Sequence, residues 1–175
     1  MALLARRIDK ALWLQTDIFK GEDVSADAIT NCIKTKKNTL STWKIKDSSS
    51  INEAILALAS GANHIDTFDI IYLDVDFFEN KNFKLDFTPG MTSVKDLVET
   101  HVDIINLDYK KLGIIASSIA EQFINNKVRR VTNLEIRKVL KEAIEKNRLS
   151  IEDLKISDAS KEKIKKMCHQ APSAS

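Results

Sequence analysis

Hydrophobic and polar positions alternate along two stretches in the N-terminal third of the chain. Residues 28–35 and 39–46 are rich in β-branched side chains and change polarity at short intervals. The connection at residues 36–38 has the length of a tight turn and ends in asparagine, which tolerates the left-handed backbone that such turns need. The pattern predicts a β-hairpin over residues 28–46. The stretch 3–15 fits either a strand or a short helix.

Two apolar segments further along the chain resemble each other. The segments Asp69–Asp74 (DIIYLD) and Asp103–Asp108 (DIINLD) share five of six residues. Each follows a serine with an acidic residue three positions later, Ser50–Glu53 and Ser93–Asp96, a spacing typical of a capping box at a helix N-terminus. Each unit therefore predicts a helix followed by a strand, with both strands in one sheet. The similarity is either an internal duplication or a chance likeness between capped helices and Ile-rich strands.

Helical periodicity dominates the remainder of the chain. Apolar residues recur at helical spacing from Tyr109 to about Asn126, where Asp108 is placed to cap the helix. Thr132–Glu135 reads as a further capping box, and a last helix is expected at about 160–167. Residues 83–87 alternate cleanly and predict an edge strand.

Together these elements predict an α+β fold. We expect a small mixed β-sheet, built from the N-terminal hairpin and the two helix–strand units, with helices flanking it. The expected domains are an α+β core at residues 1–127 and a helical C-terminal subdomain, appended to the core, at 128–170. Residues 171–175 are small and polar and are expected to form a flexible tail.

Composition narrows the class of protein. The chain has 175 residues, of which 43% are hydrophobic and 30% charged, as in globular domains. Its sequence has no apolar run of the roughly 18 residues that a membrane span needs, so no membrane partner is expected. Cys32 and Cys168 match no zinc or redox spacing, which favours reduced thiols and a cytoplasmic location. A composition rich in Lys, Asn and Ile is typical of bacteria with a low-GC genome.

Charge is unevenly distributed although the net charge is only +2. Residues 51–112 carry a net charge of −6 and residues 127–175 one of +6. Such a division permits a polyanionic partner at the basic end, or an acidic surface that meets a basic partner. It is equally compatible with two solvated faces that bind nothing.

Motifs for common catalytic chemistries are missing from the sequence. It contains no phosphate-binding glycine loop, no zinc-protease helix and no nucleophile elbow. The best enzymatic candidate is a group of aspartates, Asp74, Asp76 and Asp108, at the expected C-terminal ends of two strands. If these ends converge, the carboxylates could hold Mg²⁺ for phosphoryl transfer or nuclease chemistry. The alternative is that they cap helices and line solvated turns.

A second candidate is the basic C-terminal helix. Lys161, Lys163, Lys165 and Lys166 lie within six residues of one another. Lysines attract phosphate as point charges, so a nucleic acid could be contacted here without base recognition. A surface helix also carries lysines without binding any ligand.

The leading functional hypothesis is a protein-interaction subunit or adaptor in a cytosolic complex, without catalysis and without a cofactor. The missing catalytic motifs and the divided charge favour it over the nucleic-acid and Mg²⁺-enzyme alternatives. The expected partner is another protein or a second copy of the chain. The predicted hairpin at residues 28–46 offers a strand edge that a partner could extend.

Overall fold

The computed structural model describes residues 2–47 and 50–169, with His169 described by its backbone alone. Within these residues six strands form one sheet in the order β4-β5-β2-β1-β3-β6. The strands are β1 (Leu3–Ile8), β2 (Leu40–Ile45), β3 (Phe68–Asp74), β4 (Lys84–Phe87), β5 (His101–Ile105) and β6 (Arg129–Val131).

Helices surround the sheet and account for the other regular structure. They are α1 (Lys10–Trp13), α2 (Ala26–Cys32), α3 (Ile51–Ser60), α4 (Val75–Asn80), α5 (Tyr109–Ile124), α6 (Asn133–Glu145) and α7 (Asp158–His169), with 3₁₀ turns at Ile18–Lys20, Lys95–Thr100 and Ile151–Asp153. The stretch 3–15, which fits either a strand or a short helix in the sequence, contains one of each, since β1 is followed by α1. No helix in the described part of the chain is long and apolar enough to cross a lipid bilayer.

The α+β class predicted from the sequence is confirmed, but the sheet is not mixed. Each described strand pair is antiparallel. The two Ile-rich strands do share one sheet, as predicted. They are three antiparallel steps apart, through β1 and β2, so β3 and β5 run in opposite directions.

Two hydrophobic cores lie on opposite faces of the sheet. One contains Ile70 and is covered by α3, α6 and α7. The other contains Ile71 and is covered by α2, α4 and α5. Because successive side chains of a strand point to opposite faces, β3 supplies both cores in turn. The nearly continuous apolar sequence of β3 is thus explained by burial on both faces.

The predicted hairpin at residues 28–46 is only half correct. Lys37 and Asn38 do adopt the left-handed backbone expected of the turn, with φ of 55° and 58°. However, residues 26–32 form a helix, because the Ser25 side chain accepts a hydrogen bond from the Ala28 N–H and caps it. The remaining strand, β2, lies inside the sheet between β5 and β1 and is not an edge.

The C-terminal segment continues the fold of the preceding residues. Strand β6 pairs with β3, and Val131, Leu140 and Ile164 join the same core as Ile70. Helices α6 and α7 thus pack on the face of the sheet that carries Ile70, whereas Val128 packs against the opposite core. The division of the chain into domains at residue 128 stays a prediction. The predicted flexible tail at 171–175 lies outside the described residues.

The three expected capping boxes have different outcomes. Thr132 accepts a hydrogen bond from the Glu135 N–H, as predicted. Neither Ser50 nor the Ser93–Asp96 segment makes the expected cap. Their acidic residues instead converge on Arg148, which pairs at 2.6 Å with both Glu53 and Asp96. These hydrogen bonds, that to Glu53 foremost, raise the pKa of Arg148 and tie the end of α6 to α3.

Candidate functional site

The aspartates proposed as a Mg²⁺ centre lie at opposite ends of the strands of the sheet. Asp74 pairs with Leu3 at one end of β1, whereas Asp108 follows β5 at the other end of the strands. The reason is the antiparallel relation of β3 and β5, which sends their C-terminal ends in opposite directions. The three carboxylates therefore cannot share a metal. No cluster of three or more potential ligands occurs among the described residues.

Both strand-end aspartates are helix caps, as the sequence alternative anticipated. Asp74 Oδ1 accepts hydrogen bonds from the N–H groups of Asp76 and Phe77, and Asp108 Oδ1 accepts one from the Lys111 N–H. Asp74 also lines a groove of about 560 Å³ between β3 and α5. The Mg²⁺-enzyme prediction loses the convergence on which it depended.

The C-terminal lysines are distributed around α7. Lys165 lies 3.5 Å from Glu152 and 3.4 Å from Glu162, and Lys161 donates to the Glu152 carbonyl. Lys163 and Lys166 are exposed elsewhere on the helix. Two of the four lysines thus already have acidic or carbonyl partners within the protein. Contact with nucleic acid stays a prediction of the sequence.

The main irregularity of the sheet is an opening between its two central strands. Each is six residues long, yet their pairing comprises only three residue pairs and ends at Ala5–Trp43. Beyond that point β1 remains paired with β3 as far as Ile8, and β2 remains paired with β5 as far as Leu40. The central strands therefore separate, and a groove of about 550 Å³ lies at the separation.

Arg6 occupies this opening. Its Nε donates to the Cys32 carbonyl at 2.8 Å, and its Nη1 donates to the Ser41 carbonyl at 2.6 Å. The guanidinium bridges α2 and β2 where the two strands no longer pair. Burial lowers its pKa to about 10, and no carboxylate forms an ion pair with it among the described residues. A partly buried charge without a counter-charge loses part of its hydration, so this arginine is unusual in its setting.

Asp69 contributes a buried carboxylate to the same groove. It pairs with Ile8 across β1 and β3 and is only 6% exposed. Its Oδ2 lies 3.6 Å from Arg130, while its Oδ1 is buried without a hydrogen-bond partner among the described residues. The groove therefore contains both an unpaired positive group and an unsatisfied acceptor.

A different feature lies at the outer edge of the sheet. Strand β4 pairs with β5 on one side, and its other side has no strand neighbour among the described residues. Phe87 at its end is 59% exposed, and Met91 shortly after is 81% exposed. Lys44 lies over the Phe87 ring at 5.0 Å from its centre. The edge thus combines open main-chain groups with two exposed apolar side chains.

The backbone of the segment that follows β4 is packed closely against its neighbours. At Gly90 a Cβ atom would lie 2.4 Å from the Trp43 ring and 2.6 Å from His101 Cβ. At Gly61 it would lie 2.2 Å from the Met91 carbonyl oxygen. Thr88 is fixed by its hydroxyl, which donates to Asp103 at 2.8 Å. These contacts immobilise the main chain while the Met91 side chain remains in solvent.

The edge strand was predicted from the sequence and the groove was not. Residues 83–87 were expected to form an edge strand, and Lys84–Phe87 lies at the edge of the sheet. The groove depends on where β1 and β2 stop pairing, and pairing between strands distant in sequence leaves no local pattern. One signal was present, since Arg6 and Arg7 interrupt an otherwise apolar segment. The edge that a partner could extend was predicted at residues 28–46, but the strand there, β2, lies inside the sheet.

Comparison with protein-family models, with curated proteins and with solved structures found no match to this chain. A functional assignment therefore depends on the geometry of the molecule itself.

Proposed function

We propose that this protein is a protein-interaction subunit that binds an extended segment of a partner protein along β4. The observation that carries the proposal is the open side of β4 next to two exposed apolar side chains. An unpaired edge presents N–H and C=O groups that a further strand can pair with. Main-chain pairing supplies affinity in such complexes, and flanking side chains supply specificity.

The apolar anchors are Phe87 and Met91. Large aromatic and methionine side chains are enriched in protein interfaces, whose centres are depleted of charged residues. Burying an aromatic ring that is more than half exposed contributes on the order of 1–2 kcal/mol, estimated from the area removed from water. The partner segment should accordingly carry apolar side chains on the face that meets this pair.

Rigidity supports the same conclusion. The close packing at Gly90 and Gly61 fixes the backbone that presents Met91. A surface that is already ordered loses little conformational entropy on binding, so more of the contact energy appears as affinity. Strand β4 is also short and alternates charged with apolar residues, Lys84 and Asp86 with Leu85 and Phe87. This composition limits indiscriminate aggregation at an open edge.

The test is selection of extended peptides from a displayed library on the intact protein. Peptides selected on the wild type should bind the double variant Phe87→Asp/Met91→Asp at least about tenfold more weakly, because both anchors are replaced by charge. Leu134→Asp is the matched control, since Leu134 is 57% exposed and lies on α6, away from β4. It should leave peptide binding unchanged.

Light scattering after size-exclusion chromatography completes the test. Self-association that disappears in the double variant and persists in Leu134→Asp would identify a second copy as the occupant of the edge. The proposal is wrong if the wild type is monomeric and the selected peptides do not distinguish it from the double variant.

A further inference from the structure

We infer that the opening between β1 and β2 is a binding site for a small organic anion that also carries hydroxyl or amino groups. The anionic group is a carboxylate or a phosphate ester. This site is separate from the β4 edge, and the inference does not depend on the interaction proposed there.

The first argument is the hydrogen-bonding capacity of Arg6. A guanidinium has five N–H groups, and the structure gives partners to two of the nitrogens, through the carbonyls of Cys32 and Ser41. These carbonyls are neutral and leave the positive charge uncompensated. A carboxylate or phosphate matches the fork of a guanidinium and can take up the remaining N–H groups.

A second arginine lines the groove. The Arg7 guanidinium lies over the Phe68 ring, 5.0 Å from the ring centre, and its side chain is exposed. The stacking positions the guanidinium without neutralising it. Asp9 also lines the groove, but its Oδ1 caps α1 through the Ala11 N–H. Arg7 points to the opposite face of β1 from Arg6, so the two arginines line different sides of the opening, and Arg6 is the cation on which anion binding depends.

The other carboxylate explains why the ligand should carry a donor as well. Asp69 is more than nine-tenths buried and its Oδ1 has no donor in the described structure. An unsatisfied buried acceptor is costly, and a carboxylate oxygen more so than a neutral one. A ligand hydroxyl or amino group that donates to Oδ1 removes this cost, whereas a bare anion does not.

The size of the groove agrees with a metabolite. Its volume of about 550 Å³ falls within the range of roughly 300–1,000 Å³ that is usual for small-molecule sites. Its walls also include apolar surface from Leu12 and Leu58, as such sites generally do.

The experiment is an NMR titration of the ¹⁵N-labelled intact chain with matched small molecules. Glycerate and glycerol 3-phosphate combine an anion with hydroxyls, and acetate and inorganic phosphate carry the anion alone. Glycerol carries only hydroxyls. We expect amide shifts centred on residues 6–9 and 41–43, with the hydroxylated anions at least about tenfold tighter than the bare ones. The comparison of glycerate with glycerol 3-phosphate decides between carboxylate and phosphate.

Variants assign the contacts. Arg6→Gln should weaken the binding of hydroxylated anions about tenfold or more, because a charge-assisted hydrogen bond is lost. Asp69→Asn should reduce the advantage of hydroxylated over bare anions severalfold. Arg137→Gln on α6 is the control, since Arg137 does not line the groove. If Arg6→Gln fails to fold, Arg6→Lys replaces it and should weaken binding severalfold, because lysine keeps the charge but lacks the fork that matches a carboxylate or phosphate.

Three results would overturn the inference. The first is the absence of amide shifts with all anions at about 10 mM, well above a dissociation constant of about 1 mM. The second is shifts scattered over surface lysines instead of the opening. The third is equal weakening in the Arg137→Gln control, which would indicate a general effect of ionic strength.

Discussion

Two glycines show how strongly the surroundings of a single residue decide its role. Gly90 packs its α-carbon against the Trp43 ring and His101, where an added methyl group has no room. Gly113 lies on α5 with nothing within 4 Å of the position a Cβ would take. In the sequence, each is a single glycine among neighbours of mixed polarity. The difference arises from tertiary packing alone, so neither role could be predicted from the chain.

Gly90→Ala should lower the free energy of unfolding by about 1–3 kcal/mol, because the methyl group overpacks a buried site. Gly113→Ala should raise it by about 0.5–1 kcal/mol, because alanine is the better helix former. Urea denaturation of the two variants measures both changes. A loss of stability in Gly113→Ala, or none in Gly90→Ala, would contradict the packing described.

Tryptophan burial was predictable at the same scale. The two tryptophans of the chain, Trp13 and Trp43, are 0% and 6% exposed. Large aromatic side chains in an amphipathic pattern are buried in most folds, so the prediction needs no knowledge of topology. The charge of Arg6 was visible too, but its lack of a counter-ion depends on which strands separate.

At the scale of elements, helices with a clear apolar period were predicted well and short β-branched segments were not. Helix α5 and the start of α6 follow the sequence pattern closely. Helix α2 was mistaken for a strand because Ile29, Thr30 and Ile33 favour extended structure. The Ser25 cap and the burial of Ala28 and Cys32 one turn apart outweigh that preference. Ser25, three residues before Ala28, was the sequence signal that could have revealed the helix.

Capping gives a matched pair of substitutions at this scale. Thr132→Ala should destabilise the protein by about 1 kcal/mol, because α6 loses the acceptor for its Glu135 N–H. Ser50→Ala should cost no more than a few tenths of a kcal/mol. Its hydroxyl donates to Asp47 and makes no cap to α3. Thermal and urea denaturation followed by circular dichroism measure both, and equal losses would refute the assignment of the caps.

Considered as a whole, the molecule has a core that runs across the expected boundary at residue 128. Ile164 on α7 is completely buried in the same cluster as Ala5 on the first strand. Local periodicity shows that a helix has an apolar face but not what covers it, so the shared cluster could not be predicted from the sequence, and the domain division at residue 128 stays a prediction. The α+β class was predictable, since it depends on the kinds of elements alone.

Ile164→Ala should reduce the free energy of unfolding by about 2–5 kcal/mol and keep a single transition, because the site belongs to the common core. Lys163→Ala, at the exposed neighbouring position, should change it by less than about 0.5 kcal/mol. Tryptophan fluorescence and far-ultraviolet circular dichroism should give coincident curves. A separate loss of helical signal would instead indicate an independent C-terminal unit.

The separation of the central strands also has a mechanical consequence. The sheet consists of two three-stranded leaves, β4-β5-β2 and β1-β3-β6, joined along a seam of three residue pairs. Hydrogen bonds cross the gap and run outward, from Arg6 to Ser41, from the Ser41 hydroxyl to Asp103, and from Thr88 to the same carboxylate. A shearing load applied across the molecule is therefore concentrated on this seam. Arg6, which donates to the Ser41 carbonyl across the gap, carries part of any load that passes from one leaf to the other.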